Sequence, residues 1–93
     1  MLDKRNFYIG GRWVKPTNPS DLEVINPSTE ETCAVISLGS KEDTDIAVAA
    51  AKKAFENWKE SSKDERISLL EKLLIIYKKR YGEMADAISM EMG

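Results

Sequence analysis

The sequence predicts β-structure first and helices afterwards, an order that by itself marks a small α+β unit. Three observations carry this. Two β-prone stretches surround the turn signals Gly10-Gly11 and Asn26-Pro27. After Gly39 the apolar period changes from two to about 3.6. Ser40 and Ser62 each stand three residues ahead of an acid, the mark of a helix start.

The elements follow in order. Asn-Phe-Tyr-Ile-Gly-Gly-Arg-Trp-Val predicts a hairpin over about 6–14, because a Gly-Gly pair supplies the positive φ angles of a two-residue turn. Residues 15–21, with Pro16, Pro19, Asn18 and Ser20, make an exposed connection. Leu22–Ile25 and Thr32–Leu38 are apolar and β-branched, and Pro27 between them fixes φ and withholds a ladder donor. A second hairpin over about 22–38 is the expectation. Alternation places Ala34, Ile36 and Leu38 on one face of its later strand, with Cys33, Val35 and Ser37 on the other.

A first helix is predicted over about 41–59. Ile46, Ala50, Ala54 and Trp58 form its stripe, widened by Ala47, Ala51 and Phe55, and the alanines permit close approach to another element. Ser62 with Glu65 starts a second helix, over about 63–81, whose stripe is Ile67, Leu70, Leu74, Tyr77 and Tyr81. Leu69, Leu73 and Ile76 make it wider than one neighbouring helix would cover. Gly82 costs about 1 kcal/mol in a helix interior relative to alanine, so a break is expected there and a third helix over about 83–92.

Composition narrows the function. Charged residues are 32% and hydrophobic residues 42% of the chain, as in a folded soluble domain. Sixteen acids against fourteen bases, a net charge of -2, give no positive field for nucleic acid. No apolar stretch reaches the ~20 residues that span a bilayer, and the first residues lack the apolar centre of a secretory signal. No membrane partner is expected, and one cysteine agrees with a reducing, cytoplasmic setting. Histidine is absent, which excludes a Ser-His-Asp triad, a Cys-His pair and a histidine metal site within these residues.

Several side chains invite a sharper reading that a structural one outweighs. Cys33 falls in a strand, with no cation or helix start beside it to lower its pKa, and reads as structural. Trp13, Phe55, Trp58, Tyr77 and Tyr81 follow strand and helix periods, as packing residues do. Lys78, Lys79 and Arg80 sit where bases complement a helix dipole. Glu30-Glu31 and the Asp43/Asp45 pair are explained by solvation and capping.

Four stretches together resemble the start of the aldehyde dehydrogenase superfamily. They are Tyr-Ile-Gly-Gly-Arg-Trp-Val at 8–14, Val-Ile-Asn-Pro-Ser-Thr-Glu-Glu at 24–31, the alanine-rich helix through Phe55 and Trp58, and Met-Glu-Met-Gly at 90–93. Each is weak alone; their order and spacing make the match specific. The sequence departs from the pattern at Glu30, where members often carry glycine. Positive φ at a glutamate would cost on the order of 1 kcal/mol, which leaves the turn type open.

The resemblance implies an α/β fold in which residues 1–93 are the amino-terminal part of a Rossmann-like NAD(P)-binding domain. A catalytic domain and an oligomerisation arm would lie outside this chain, so an end at Gly93 reads as a truncation. It also implies a parent enzyme, a homodimer or homotetramer, that oxidises an aldehyde to a carboxylic acid with NAD or NADP through a cysteine thiohemiacetal. None of the catalytic residues is carried here, nor the Gly-rich phosphate turn, so the piece alone is expected to be inactive. By position, the carbonyls of Val24 and Ile25 and the carboxylate of Glu91 match the ligands of a structural monovalent cation, Na⁺ or K⁺. A reductase of acyl phosphates or acyl thioesters on the same fold is one alternative. A stand-alone module that binds a partner through its apolar helix face is another.

Overall fold

A computed structural model describes all 93 residues. The strands are β1 (Leu2–Lys4), β2 (Phe7–Ile9), β3 (Arg12–Val14), β4 (Asp21–Asn26) and β5 (Glu31–Ser37). The helices are α1 (Lys41–Trp58), α2 (Lys63–Lys79) and α3 (Tyr81–Met92). Strands precede helices, as the change of period requires.

β2 and β3 form the expected hairpin, pairing Phe7 with Val14 and Ile9 with Arg12. Its turn residues Gly10 and Gly11 hold φ of 62° and 81°, the double positive φ of a type I′ turn. The hairpin leans on α1: a Cβ added at Gly10 would lie 3.9 Å from that of Ala50. The alanine stripe therefore permits the close approach expected of it. Phe7, Ile9, Val14, Ala47 and Ala50 are the half-covered residues of this small interface.

β4 and β5 pair antiparallel, from Asp21 with Ser37 to Asn26 with Glu31. The register shifts midway: Val24 faces Ala34 and Ile25 faces Thr32, so Cys33 has no partner residue across the ladder. β1 lies parallel to β5 on its other side, giving a three-stranded sheet in the order β1-β5-β4. The sequence did not predict β1. One apolar residue in Leu-Asp-Lys gives no strand signal, and the segment is held by contacts that only the fold creates. Arg5 donates to both oxygens of Asp3 at 3.0 and 2.8 Å and reaches Asp21 at 3.3 Å. Its own carbonyl accepts from the buried Ser37 hydroxyl at 2.7 Å.

Both helix starts are reciprocal capping boxes, Ser40 with Asp43 and Ser62 with Glu65. The second break falls earlier than expected. α2 ends at Lys79 and α3 begins at Tyr81, so Gly82 lies inside the first turn of α3 instead of ahead of the helix. First-turn N–H groups have no intrahelical acceptor in any case, so glycine weakens the helix less there. The break itself is at Arg80, with φ -103° and ψ 13°, and Arg80 spans it by pairing with Glu83 at 3.0 Å.

Little of this is enclosed. Only Ala34, Ser37 and Asp43 are buried, and the accessible surface is 7954 Å². A compact protein of this mass exposes about 5,400 Å². The radius of gyration is 16.9 Å, against about 12 Å for a compact domain of this length. No residue of α2 is buried, and Leu70, Leu73 and Ile75 remain 64%, 59% and 60% exposed. The aromatic residues read as packing residues are uncovered too. Tyr8 meets Trp13 at 5.2 Å and Tyr77 meets Tyr81 at 5.9 Å, so these rings touch one another and little else of bulk.

Candidate functional site

The residues matched to a cation site sit where β4, its turn and the end of α3 come together. Val24 and Ile25 straddle the register shift, the point at which a ladder leaves backbone groups free to serve something other than the partner strand. The Cys33 thiol donates to the Val24 carbonyl at 3.3 Å. A carbonyl oxygen has a second lone pair, so this bond still leaves an acceptor. The half-buried thiol spends its hydrogen on the backbone, which fits its structural reading.

The turn after β4 is tightly bonded. Asn26 accepts from the Ser28 amide through its side chain at 2.9 Å and from the Glu30 amide through its carbonyl at 2.8 Å. Glu30 takes φ of 60°. The left-handed geometry that glycine would favour is thus kept with a glutamate, and the turn type left open by the sequence is settled.

α3 packs against β4, and its end reaches the turn. A Cβ added to Gly93 would lie 3.2 Å from the Ser28 Oγ and 3.3 Å from the Pro27 Cβ, and Gly93 itself has φ of 86°. Glu91 is exposed on the last turn of α3. The structure therefore places Val24, Ile25 and Glu91 on two elements that pack together. No three His, Cys, Asp or Glu side chains gather as metal ligands anywhere in the chain. The donors available are two backbone carbonyls and one carboxylate, an all-oxygen set suited to a hard, singly charged cation and lacking the nitrogen or sulfur that zinc takes.

Asp43 is the most enclosed ionisable group, and its work is structural. One oxygen accepts from the Thr17 amide at 2.9 Å and hydroxyl at 3.0 Å, the other from the Ser40 amide and hydroxyl at 3.0 Å each. The Ser40 and Thr17 backbone amides lower its pKa to about 2. It fastens the 15–20 connection to the start of α1. Capping was legible in the sequence; the bond to Thr17, which lies 26 residues earlier, had no local signal. Asp45 pairs with Lys41 at 2.7 Å on the surface.

An open cleft of about 660 Å³ lies at the far end of β4 from the turn, lined by Lys4, Arg5, Trp13, Lys15 and Asp21 among others. Its guanidinium is already matched by Asp3 and Asp21, and the Arg5 side chain, as first cause, lowers the Asp3 pKa to about 2. No nucleophile, general base or Gly-rich phosphate turn stands there or at the β4–β5 turn.

Comparison with known proteins agrees with this geometry. The profile of the aldehyde dehydrogenase family matches residues 13–93. A 3-succinoylsemialdehyde-pyridine dehydrogenase from a Pseudomonas species is 47% identical over 93 residues, which are all of this chain and 20% of that protein. The crystal structure of an aldehyde dehydrogenase from Bartonella henselae superposes with a TM-score of 0.96 at 60% identity, covering 97% of this chain and 19% of the other. Aldehyde dehydrogenase C from Pseudomonas syringae, a cysteine-to-alanine variant in complex with NAD⁺ and octanal, superposes with a TM-score of 0.90 at 40% identity, covering 92% and 18%. The chain spans about a fifth of the length of the relatives it matches. Its strands and three helices reproduce the amino-terminal part of such a structure, and the chain belongs to the aldehyde dehydrogenase family.

Proposed function

We propose that these 93 residues are amino-terminal scaffold in the Rossmann-like NAD(P)-binding domain of an enzyme that oxidises an aldehyde to a carboxylic acid. The observation that carries this reading is the family match along nearly the whole chain at a fifth of the relatives' length. The uncovered apolar surface of α1 and α2 supports it, since leucines and isoleucines that are half exposed or more are expected to meet a further body of protein. The Pseudomonas syringae relative, held with NAD⁺ and octanal, supports a nicotinamide cofactor, NAD or NADP, and an aldehyde substrate.

In such an enzyme a cysteine thiolate adds to the aldehyde carbon and the thiohemiacetal gives hydride to the nicotinamide. Water, deprotonated by a carboxylate, then releases the acid and the thiol. None of those groups belongs to the residues described here. What this chain does is hold position: the hairpin on α1, Asp43 across Thr17 and Ser40, and α3 on β4. By itself it should be inactive. We further assign the Val24 and Ile25 carbonyls with the Glu91 carboxylate as part of a structural Na⁺ or K⁺ site, a soluble cytoplasmic setting, and assembly as a homodimer or homotetramer.

The test is to express the reading frame that carries these residues and to follow nicotinamide reduction with octanal. Aldehyde-dependent formation of NADH or NADPH, lost when the cysteine nucleophile encoded elsewhere in that frame is replaced, is the expected result. A frame that encodes no such cysteine, or a protein that only consumes reduced cofactor with acyl phosphates or thioesters, would overturn it.

A further inference from the structure

Resting on the cation-site reading above, we propose that Gly93 is a positioning residue for that site. It lets the end of α3 close onto the Pro27-Ser28 turn and so fixes Glu91 relative to the Val24 and Ile25 carbonyls.

Two independent features of Gly93 point this way. Its φ of 86° lies in the region that side chains disfavour, and its missing Cβ leaves a gap of only 3.2 Å to the Ser28 Oγ and 3.3 Å to the Pro27 Cβ. Contacts that short are tighter than ordinary carbon contact, so a side chain would push the helix end and the turn apart. What moves is specific. Pro27 has a restricted φ and Ser28 is tied by its amide to the Asn26 side chain at 2.9 Å, so the turn resists. α3 is the freer partner, because Met90 is its one half-covered residue and the rest are exposed. Its last turn carries Glu91, two residues from Gly93. The Gly93 amide donates to the Ser89 carbonyl at 3.0 Å, so a shift at Gly93 is passed directly to the turn that presents Glu91.

The carbonyl donors, by contrast, belong to the sheet. Val24 and Ile25 are held by pairing to Ala34 and Thr32 and do not depend on α3 for their place. A single glycine thus governs the distance between the two halves of an oxygen cage. A cation bound by few ligands responds steeply to such a displacement, because each ligand supplies a large part of the coordination.

The test uses the expressed enzyme that carries this chain, with thermal unfolding followed as KCl is raised at constant ionic strength with a bulky organic cation. The native protein should gain stability with a saturable K⁺ midpoint. Gly93→Ala should raise that midpoint roughly tenfold, the effect of placing about 1–2 kcal/mol of left-handed strain and a steric push on the bound geometry. Gly93→Asn, which tolerates positive φ but still carries a Cβ, isolates the close approach and should also raise the midpoint. Glu91→Gln should remove the K⁺ dependence. If Gly93→Ala and Gly93→Asn lower stability equally at every K⁺ concentration with an unchanged midpoint, Gly93 is merely structural and the proposal fails while the site stands. If the native protein shows no K⁺ dependence, or Glu91→Gln leaves it intact, the site reading fails and the proposal with it.

Discussion

Replacing Glu30 by glycine should stabilise the protein, an unusual direction for a single substitution. Glu30 sits at φ 60° at the end of the β4–β5 turn. A side chain held in the left-handed region costs about 1–2 kcal/mol. Glycine removes that cost but gains freedom in the unfolded chain worth about 0.4–1 kcal/mol. The net gain is about 0.5–1 kcal/mol, because little else is lost. The turn's bonds are made by the Glu30 amide, the Ser28 amide and the Glu31 amide, all of which survive the substitution. Glu30 takes part in none of the ion pairs, which join Arg5, Lys41 and Arg80 to other acids. Thermal unfolding of the expressed enzyme should rise by about 2–5 °C for Glu30→Gly. Glu30→Asn should fall between glycine and glutamate, and Glu30→Val, β-branched, should melt lowest. A ranking in which valine equals or exceeds glycine would refute the reasoning, since strain at this φ could then not be what distinguishes the side chains.

Two further outcomes follow from other parts of the fold. Asp43 has a pKa lowered to about 2 from the ordinary 3.8 by the Ser40 and Thr17 amides. A depressed carboxyl stabilises the native state fully above its unfolded value and loses that contribution as pH falls towards the folded one. Asp43→Asn should therefore lower the melting temperature at pH 6 by a few degrees and flatten the loss of stability between pH 4 and about 2; an unchanged acid limb in a melting series over that range would contradict it. Leu70→Gln and Leu73→Gln change side chains that are 64% and 59% exposed here. In the 93-residue polypeptide they should raise solubility without loss of structure by circular dichroism. In the whole enzyme each should cost about 2–3 kcal/mol of stability in a denaturant titration, as burial of a leucine against further protein implies.

Much of this architecture was legible because local chemistry and final structure agree. Gly10-Gly11 can make few turns other than the one it makes, and both serine-led helix starts became reciprocal caps. Pro27 separated the strands of the second hairpin as expected. What escaped the sequence depends on residues far apart. β1 owes its place to parallel pairing with β5 and to the bonds of Arg5 and Ser37, with partners 16 and 32 residues distant from Arg5. The early end of α2 escaped because glycine's cost depends on its place within a helix, which the residue alone does not reveal. The candidate site divides in the same way. Its residues were matched by position along the chain, whereas the left-handed Glu30, the unpaired Cys33 and the approach of Gly93 to Ser28 emerged only when two hairpin strands and a helix end met.

The central claim is that the apolar faces of α1 and α2 are made to be covered by the rest of an enzyme. Calorimetry of the purified 93-residue polypeptide in dilute solution tests it most directly. We expect no sharp heat absorption, because only Ala34 among the apolar residues is buried and no interior exists to melt cooperatively. A single cooperative transition from a monomer, with an enthalpy near the about 60–70 kcal/mol of a self-sufficient domain this size, would contradict it.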